Sequence, residues 1–577
     1  MKRRLLHLTL PFAMGLTAFP ADAQWGRNVD DEALANPNRT EWLTNGRDFA
    51  EQRFSPLDQI NAGNVSRLGL AWSYEIGSPQ GQLEATPLVS DGIMYATGTW
   101  SVVFALDART GEEIWRWDPG IIQGGLANGG PSICCGPANR GVALYEGKIY
   151  AGLLDGRLVA LDAETGRLVW ARQTVPPGDE YSITGAPRIV RGKVVIGNGG
   201  AEYGVRGYVT AYDAETGEEV WRFYTVPGDP SLGFESFALE MAASTWAGNW
   251  WELGGGGTVW DAIAYDPEAN LVYIGVGNGS PWSREHRSAG QGDNLFLASI
   301  VALNGDTGEM AWYYQTAPGD DWDYTATQHI MLADLVINGE ERRVLMQAPK
   351  NGFFYVLDRI TGEFISAQAI AHVTWASHVD PTTGRPVETP EARYDEVGAY
   401  LAPGPRGAHN WEPMSFNPEV GLVFISGQNT QSFYRRNTDF VIRPGQFNTG
   451  TGGGGGRGGV TAPPAPQPAG FLLGWDPVAQ EERWRIPYES SRNGGTLSTA
   501  GGLLFSARND GRFYAHDPAT GRILWEAEIA RGPGAMMTYE LDGRQYVTML
   551  TGPGGANGPS GRVLTFALDG NASMPND

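Results

Sequence analysis

The chain has 577 residues, with 80 Gly and 37 Pro; only 19% of residues are charged, while Trp, Tyr and Phe make up 11%. So much large apolar surface excludes a disordered chain, and so much Gly and Pro demands frequent turns. A net charge of −23 argues against nucleic acid and anionic lipid as partners; it suits either a basic partner or plain solubility.

Lys2-Arg3-Arg4, the apolar run from Leu5 to Phe19 and Ala21-Asp22-Ala23 read as a secretory signal peptide over 1–23, so a mature chain beginning at Gln24 and forming one domain over 24–577 is expected. Nothing later approaches the ~18 uninterrupted apolar residues of a membrane helix, so no span is expected. Leu68 to Tyr74 is a strand-like run without a neighbour to pair with. A pattern then repeats: an apolar pair, Asp, Thr-Gly and an aromatic. It reads Ala105-Leu106-Asp107, Thr110-Gly111, Trp115, then Ala160-Leu161-Asp162, Thr165-Gly166, Trp170, then Ala211-Tyr212-Asp213, Thr216-Gly217, Trp221. Looser copies end at Trp312, Phe364, Trp484 and Trp525, and a half-copy, Ala567-Leu568-Asp569-Gly570, brings the units to eight.

Each copy is a hairpin signal: the Asp caps the turn, the Gly supplies positive φ and the Trp can wedge between units. With another strand pair upstream, a unit holds four strands. The fold expected is therefore all-β, an eight-bladed propeller with four-stranded antiparallel blades of the tryptophan-docking type. Leu68 to Tyr74 and the closing half-copy should share one blade. A solenoid would need capping units and more even spacing. Insertions interrupt the spacing. One, Phe234 to Gly257, carries the indole-rich Ser244 to Trp251, which reads equally as a pocket wall or as packing between blade and loop. The other, 449–470, is rich in Gly and Pro and reads as a mobile surface loop.

Cys134 and Cys135 are the only cysteines and are adjacent; they bond to each other, stay free, or are simply small buried residues. No CxxC or CxxCH occurs, which excludes a zinc ribbon, a thioredoxin motif and covalently attached c-type haem. The block Cys134-Cys135-Gly136-Pro137-Ala138-Asn139-Arg140-Gly141, together with Gly200-Ala201-Glu202-Tyr203-Gly204-Val205-Arg206-Gly207, Gly277-Asn278-Gly279-Ser280-Pro281-Trp282 and Trp322-Asp323-Tyr324, resembles the pyrroloquinoline quinone (PQQ)-dependent alcohol dehydrogenases over nearly the whole mature chain.

The resemblance implies a site for a flat, triply carboxylated quinone. Trp260 would form its floor and a vicinal disulfide Cys134–Cys135 its lid. Glu84, Arg140, Thr184, Gly200, Ala201, Thr258, Lys350, Asn410 and Trp475 would surround its rim. Arg140 would pair with a cofactor carboxylate and Lys350 would donate to the quinone oxygens. Glu202, Asn278 and Asp323 match the positions around the metal. Thr325 stands where lanthanide-using relatives carry a further Asp, so Ca²⁺ is the expected ion. Asp323 matches the catalytic base that takes the alcohol proton; Asp320 and Asp321 would serve loop structure and solvation. The resemblance further implies a periplasmic enzyme that oxidises an alcohol and passes electrons to a separate cytochrome c or a similar acceptor. The rival readings are a quinoprotein polyol or sugar dehydrogenase and a non-catalytic scaffold of outer-membrane assembly.

Overall fold

The computed structural model describes residues 29–77, 82–123, 129–175, 180–443, 445–452, 461–552 and 561–575. The signal-peptide reading over 1–23 and the glycine run 453–460 within the 449–470 loop lie outside the described residues. Eight sheets, antiparallel except for the strand Phe54–Ser55 added in parallel to one of them, form the blades of a propeller. Blade 1 consists of Leu88–Ser90, Ile93–Thr97, Val103–Asp107 and Glu113–Trp117. Its first two strands are buried throughout, because neighbouring blades cover both faces. In the outermost strand only Trp115 is buried, and Glu113 and Arg116 face solvent along the edge, which keeps that edge from pairing with another chain.

The repeated motif forms the turn between the third and fourth strands. Asp107 Oδ1 accepts the N–H groups of Arg109 (2.7 Å) and Thr110 (3.2 Å), and Asp213 does the same for Glu215 and Thr216. The indole of one blade then docks on the turn of the next. Trp115 Nε1 donates to Ala163 O (3.0 Å), Trp170 Nε1 to Ala214 O (3.1 Å) and Trp221 Nε1 to Gly305 O (3.2 Å). At Gly217, φ is +69° and a Cβ would lie 2.8 Å from the Trp170 ring, so both backbone and contact require glycine. The looser copies are looser in space too. Phe364 stacks on Tyr314 of the preceding blade, 5.9 Å between centroids, and Gln480 takes φ +55° where other turns have glycine; its Nε2 donates to Ser366 Oγ instead.

Ring closure follows the expected route. Leu68–Glu75 pairs antiparallel with Arg562–Leu568, Trp72 Nε1 donates to Ala108 O (3.3 Å) and Trp525 Nε1 to Leu68 O (3.1 Å). No motif or period announces what fills the axis. Residues 42–55 thread it, touching the innermost strands of six blades: Trp42 bridges Val89, Glu51 pairs with Arg188, and Gln52 Nε2 donates to Leu332 O. Gln52 O accepts from Phe416 N and Arg53 O from Ser498 N, while the Arg53 guanidinium donates to Met536 O.

This topology also positions the site. Within a blade the first strand starts, and the second ends, at the same rim of the ring. Glu84, Cys134, Arg140, Thr184, Trp260, Asp323 and Asn410 all precede first strands, whereas Glu202, Asn278 and Lys350 follow second strands. They therefore collect on one face.

Tryptophan docking predicts unequal losses at two glycines with the same φ. Gly421 has φ +68° and open space around its Cβ position. Gly421→Ala should cost about 1 kcal/mol through backbone strain alone, and Gly217→Ala about 3 kcal/mol once the displaced indole is added. Thermal unfolding of both variants measures this; equal losses would mean that φ alone dictates the turn glycine.

Candidate active site

Gly200, at φ +103°, opens a single turn, Ala201–Tyr203, that carries Glu202 inward; a Cβ at Gly200 would meet Glu180 O at 2.5 Å. Glu202 is buried. Its Oε1 accepts from Asn278 Nδ2 (3.0 Å) and Trp282 Nε1 (3.2 Å), and Asn278 Nδ2 also donates to Gly279 O. Asp323 adopts φ +65°, and Lys350 Nζ donates both to its Oδ2 (3.0 Å) and to its carbonyl (3.1 Å). Burial pushes the Asp323 carboxyl well above the usual range; the Lys350 ammonium opposes this and the charge of Glu202 adds to it. Among the described residues no donor reaches Asn278 Oδ1 or Asp323 Oδ1. Two buried carboxylates within electrostatic reach of each other and a free amide oxygen make a hard-oxygen donor set, which fits a cation.

Two neighbouring acids hold this loop in shape. Asp320 Oδ1 accepts from Trp322 N (3.2 Å) and Tyr324 N (2.9 Å), bracketing Asp323. Asp321 Oδ1 accepts from Arg284 N (2.6 Å), and its Oδ2 pairs with Arg393 (3.4 Å). The structural role expected of both is seen. Solvation is not, since both are buried.

A second cluster centres on Arg140. Its guanidinium pairs with Glu84 (2.6 Å) and Asp261 (3.7 Å), donates to Thr184 Oγ1 (2.8 Å) and Trp260 O (3.3 Å), and lies 4.8 Å from the Trp260 ring centroid. Burial raises the Glu84 carboxyl, with Arg140 opposing, and takes Asp261 to about 7, with Arg140 and Arg188 opposing. Thr258 O accepts from Gly277 N (2.9 Å), which ties the Trp260 loop to Asn278, and Gly199 pairs with Ser182, which ties Gly200 and Ala201 to the Thr184 loop. The half-exposed indole of Trp260 and a guanidinium beside it offer the apolar plane and the cation that a flat polyanion needs.

Cys134 and Cys135 are disulfide-bonded to each other. Tyr203, next to Glu202, donates from its hydroxyl to Ile133 O (3.1 Å), so the disulfide loop and the Glu202 turn are joined. Phe447 lies edge-on to both Tyr203 and Trp282, each 6.1 Å away, and keeps 51% exposure. Trp246 and Trp250 are packing residues. They are buried 5.5 Å apart against Val226 and Leu297, with their N–H groups on Leu295 O and Pro227 O.

One expected rim residue is elsewhere. Trp475 lies on the third strand of blade 6, Gly470–Asp476, and packs between blades with Phe354, Phe471 and Leu473. It fills the apolar position ahead of the turn Asp, as Leu106 and Leu161 do, and third strands do not open onto the site. Asn410 is on the correct face but its amide is engaged locally, donating to Arg406 O and accepting from Trp411 N. Trp411 and Asp261 were missed. Both line a cavity of about 20 Å³ with Glu84 and Arg140. Each directly follows an expected residue, Asn410 or Trp260, and that adjacency was the available signal.

The family model described as glucose, ethanol and alcohol PQQ dehydrogenase, β-propeller domain, matches residues 42–374 and 467–547. The chain is also 53% identical over 565 residues to the quinohemoprotein alcohol dehydrogenase ADH IIB of Pseudomonas putida, covering 95% of this chain and 80% of that protein. The chain belongs to the PQQ-dependent alcohol dehydrogenases. Two solved dehydrogenases share the fold. The quinohemoprotein alcohol dehydrogenase of Comamonas testosteroni superposes with TM-score 0.89 at 48% identity, covering 96% of this chain and 84% of that one. A europium-containing methanol dehydrogenase superposes with TM-score 0.84 at 32% identity, covering 93% and 100%. As a member of this family the protein is an alcohol oxidoreductase that uses PQQ.

The Asp320 bracket predicts an effect at a distance from substrate. Asp320→Ala should cut turnover at least tenfold while PQQ still binds, because it frees the φ +65° residue between the two N–H groups it holds. Dye-linked kinetics and PQQ titration read the two separately; unchanged turnover would show that Asp323 is held by Lys350 alone.

Proposed function

We propose that this dehydrogenase works in the periplasm with Ca²⁺ and PQQ, oxidises alcohols with hydrocarbon chains to aldehydes or ketones, and passes electrons to a separate cytochrome c. The observation that carries the reading is the convergence of Glu202, Asn278 and Asp323 with Lys350 on the Asp323 carboxylate. When bound, PQQ supplies the two-electron acceptor and Ca²⁺ a Lewis acid beside it.

The protein's own groups do the rest. Trp282 and Asn278 fix Glu202 through its Oε1, leaving Oε2 for the ion. Lys350 favours the ionised form of Asp323 against the burial that opposes it, and the uncovered Oδ1 is the atom that would take the alcohol proton. Arg140 and Thr184 would hold one cofactor carboxylate, with the Trp260 indole beneath the ring and the Cys134–Cys135 disulfide above it. Thr325 adds no charge to the metal site, which favours a divalent ion over the trivalent one in the europium-containing relative. Tyr203, Trp282 and Phe447 gather aromatic rings beside Glu202, surroundings that suit a hydrocarbon alcohol better than a polyol or sugar. The basic start and apolar run before Gln24 support export, and a disulfide suits an oxidising compartment. The net charge of −23 suits a basic cytochrome.

Reconstitution with PQQ and Ca²⁺ followed by dye reduction across primary, secondary, polyol and sugar substrates tests the reading. Activity on simple alcohols is expected, with La³⁺ a poor substitute for Ca²⁺. Asp323→Asn should keep the quinone spectrum and the thermal stabilisation by PQQ yet lose about 10³-fold in kcat; near wild-type turnover would remove Asp323 from the base role.

A further inference from the structure

The Arg140 cluster has one acid more than its cation can neutralise. Glu84 holds the guanidinium at 2.6 Å, and Asp261 approaches it from the Nε side at 3.7 Å. Both carboxyls lie out of bulk solvent, with side chains 9% and 16% exposed. The groups facing Asp261 are Arg140, Glu84, Arg188 and, beyond Arg188, Glu51; His329 lines the same cavity. Arg188 also lowers the Asp261 carboxyl, but less than Arg140 does, and its Nε is shared with Glu51 at 2.7 Å. His329 is kept neutral by burial, and its Nε2 faces Glu51 at 3.6 Å. Glu84 has Arg406 and Glu412 further off, paired with each other at 2.8 Å.

An incoming carboxylate at Arg140 would be a third anion on one buried guanidinium. Repulsion between like charges in a site of low polarity is relieved by protonation of the acid held least tightly. That acid is Asp261, the more distant of the pair. The cavity of about 20 Å³ that it lines has room for one water, through which a proton can arrive.

We infer that binding of the tricarboxylate cofactor is coupled to uptake of one proton by Asp261, which frees Arg140 to pair with the ligand. The inference rests on the assignment of Arg140 as a cofactor contact. In the free protein burial pushes the Asp261 carboxyl up to about 7. Uptake is therefore close to one proton at pH 8 and shrinks toward pH 6, where the acid is already protonated. The sign follows: affinity for PQQ falls as pH rises above about 7, approaching tenfold per pH unit.

Calorimetric titration of the Ca²⁺-containing apo-protein with PQQ, in buffers of different ionisation enthalpy, counts the protons without any turnover. Protons exchanged at the metal ligands are common to wild type and Asp261→Asn, so the difference between the two isolates Asp261. The expected result is a wild-type uptake larger by nearly one proton at pH 8 and by much less at pH 6. The fluorescence-derived Kd should weaken with pH in the wild type and far less in the variant. Asp261→Ser, smaller and also uncharged, serves if the Asn variant fails to fold. Equal proton counts in wild type and a folded variant, with PQQ bound by both, would overturn the coupling and leave the family reading intact. Absence of any PQQ binding by the wild type would overturn both.

Discussion

Eight sheets share an axis because each offers its successor a similar seat, and in most blades here the seat is an indole resting on a left-handed glycine. Trp170 over Gly217 shows both halves of the constraint: the N–H finds the Ala214 carbonyl, and the ring lies where any Cβ would stand. Because the contact lies at the outer, solvent-facing strand, it fixes the angle between blades and leaves the inner strands free to vary. That freedom is what the site uses. The seat between blades 5 and 6 differs, with Phe364 and Gln480 in place of Trp and Gly, and it borders the stretch 375–466 that the family model leaves unmatched.

The inner ends of eight blades would leave an open shaft, and the segment 42–55 closes it. Its cost is a line of buried charges: Glu51, Arg53 and Arg188 meet on the axis, Glu51 Oε1 paired with Arg188 and Arg53 held by backbone carbonyls. A buried ion is tolerable only when paired and hydrogen-bonded, so the plug and the inner strands specify each other's register. The Arg140 cluster stacks on this axial network through Arg188 and Asp261. The chemistry of one face is thus electrostatically continuous with the structure below it.

Much of this was legible in the sequence, for identifiable reasons. The repeated Asp, Thr-Gly and Trp announce themselves because turn, φ and docking each demand one residue type, and Leu68 to Tyr74 could be assigned to the closing blade because nothing else remained to pair with it. Glu202, Asn278 and Asp323 carry distinctive neighbours, and the structure brings all three to one face. Trp475 misled because a tryptophan beside Gly and Asp looks like a site residue, while its place in the repeat is that of Leu106. The axial plug was illegible for the opposite reason. Residues 42–55 have neither period nor motif, since their contacts go to six different blades at sequence separations that no local pattern encodes.

Net charge shows where composition stops informing. A chain at −23 belongs to a family whose cofactor is a polyanion, and the surface field opposes that encounter. The conflict is resolved by depth. Arg53, Arg140, Arg188 and Arg287 are all withdrawn from solvent, where their fields are weakly screened, while most of the acids decorate the outer strands and turns. Buried cations alone would destabilise the empty protein, so acids must accompany them, and those acids then compete with the ligand for the same guanidinium. A carboxyl that can take up a proton reconciles the two states, because it neutralises the cation when the site is empty and withdraws its own charge when an anion arrives.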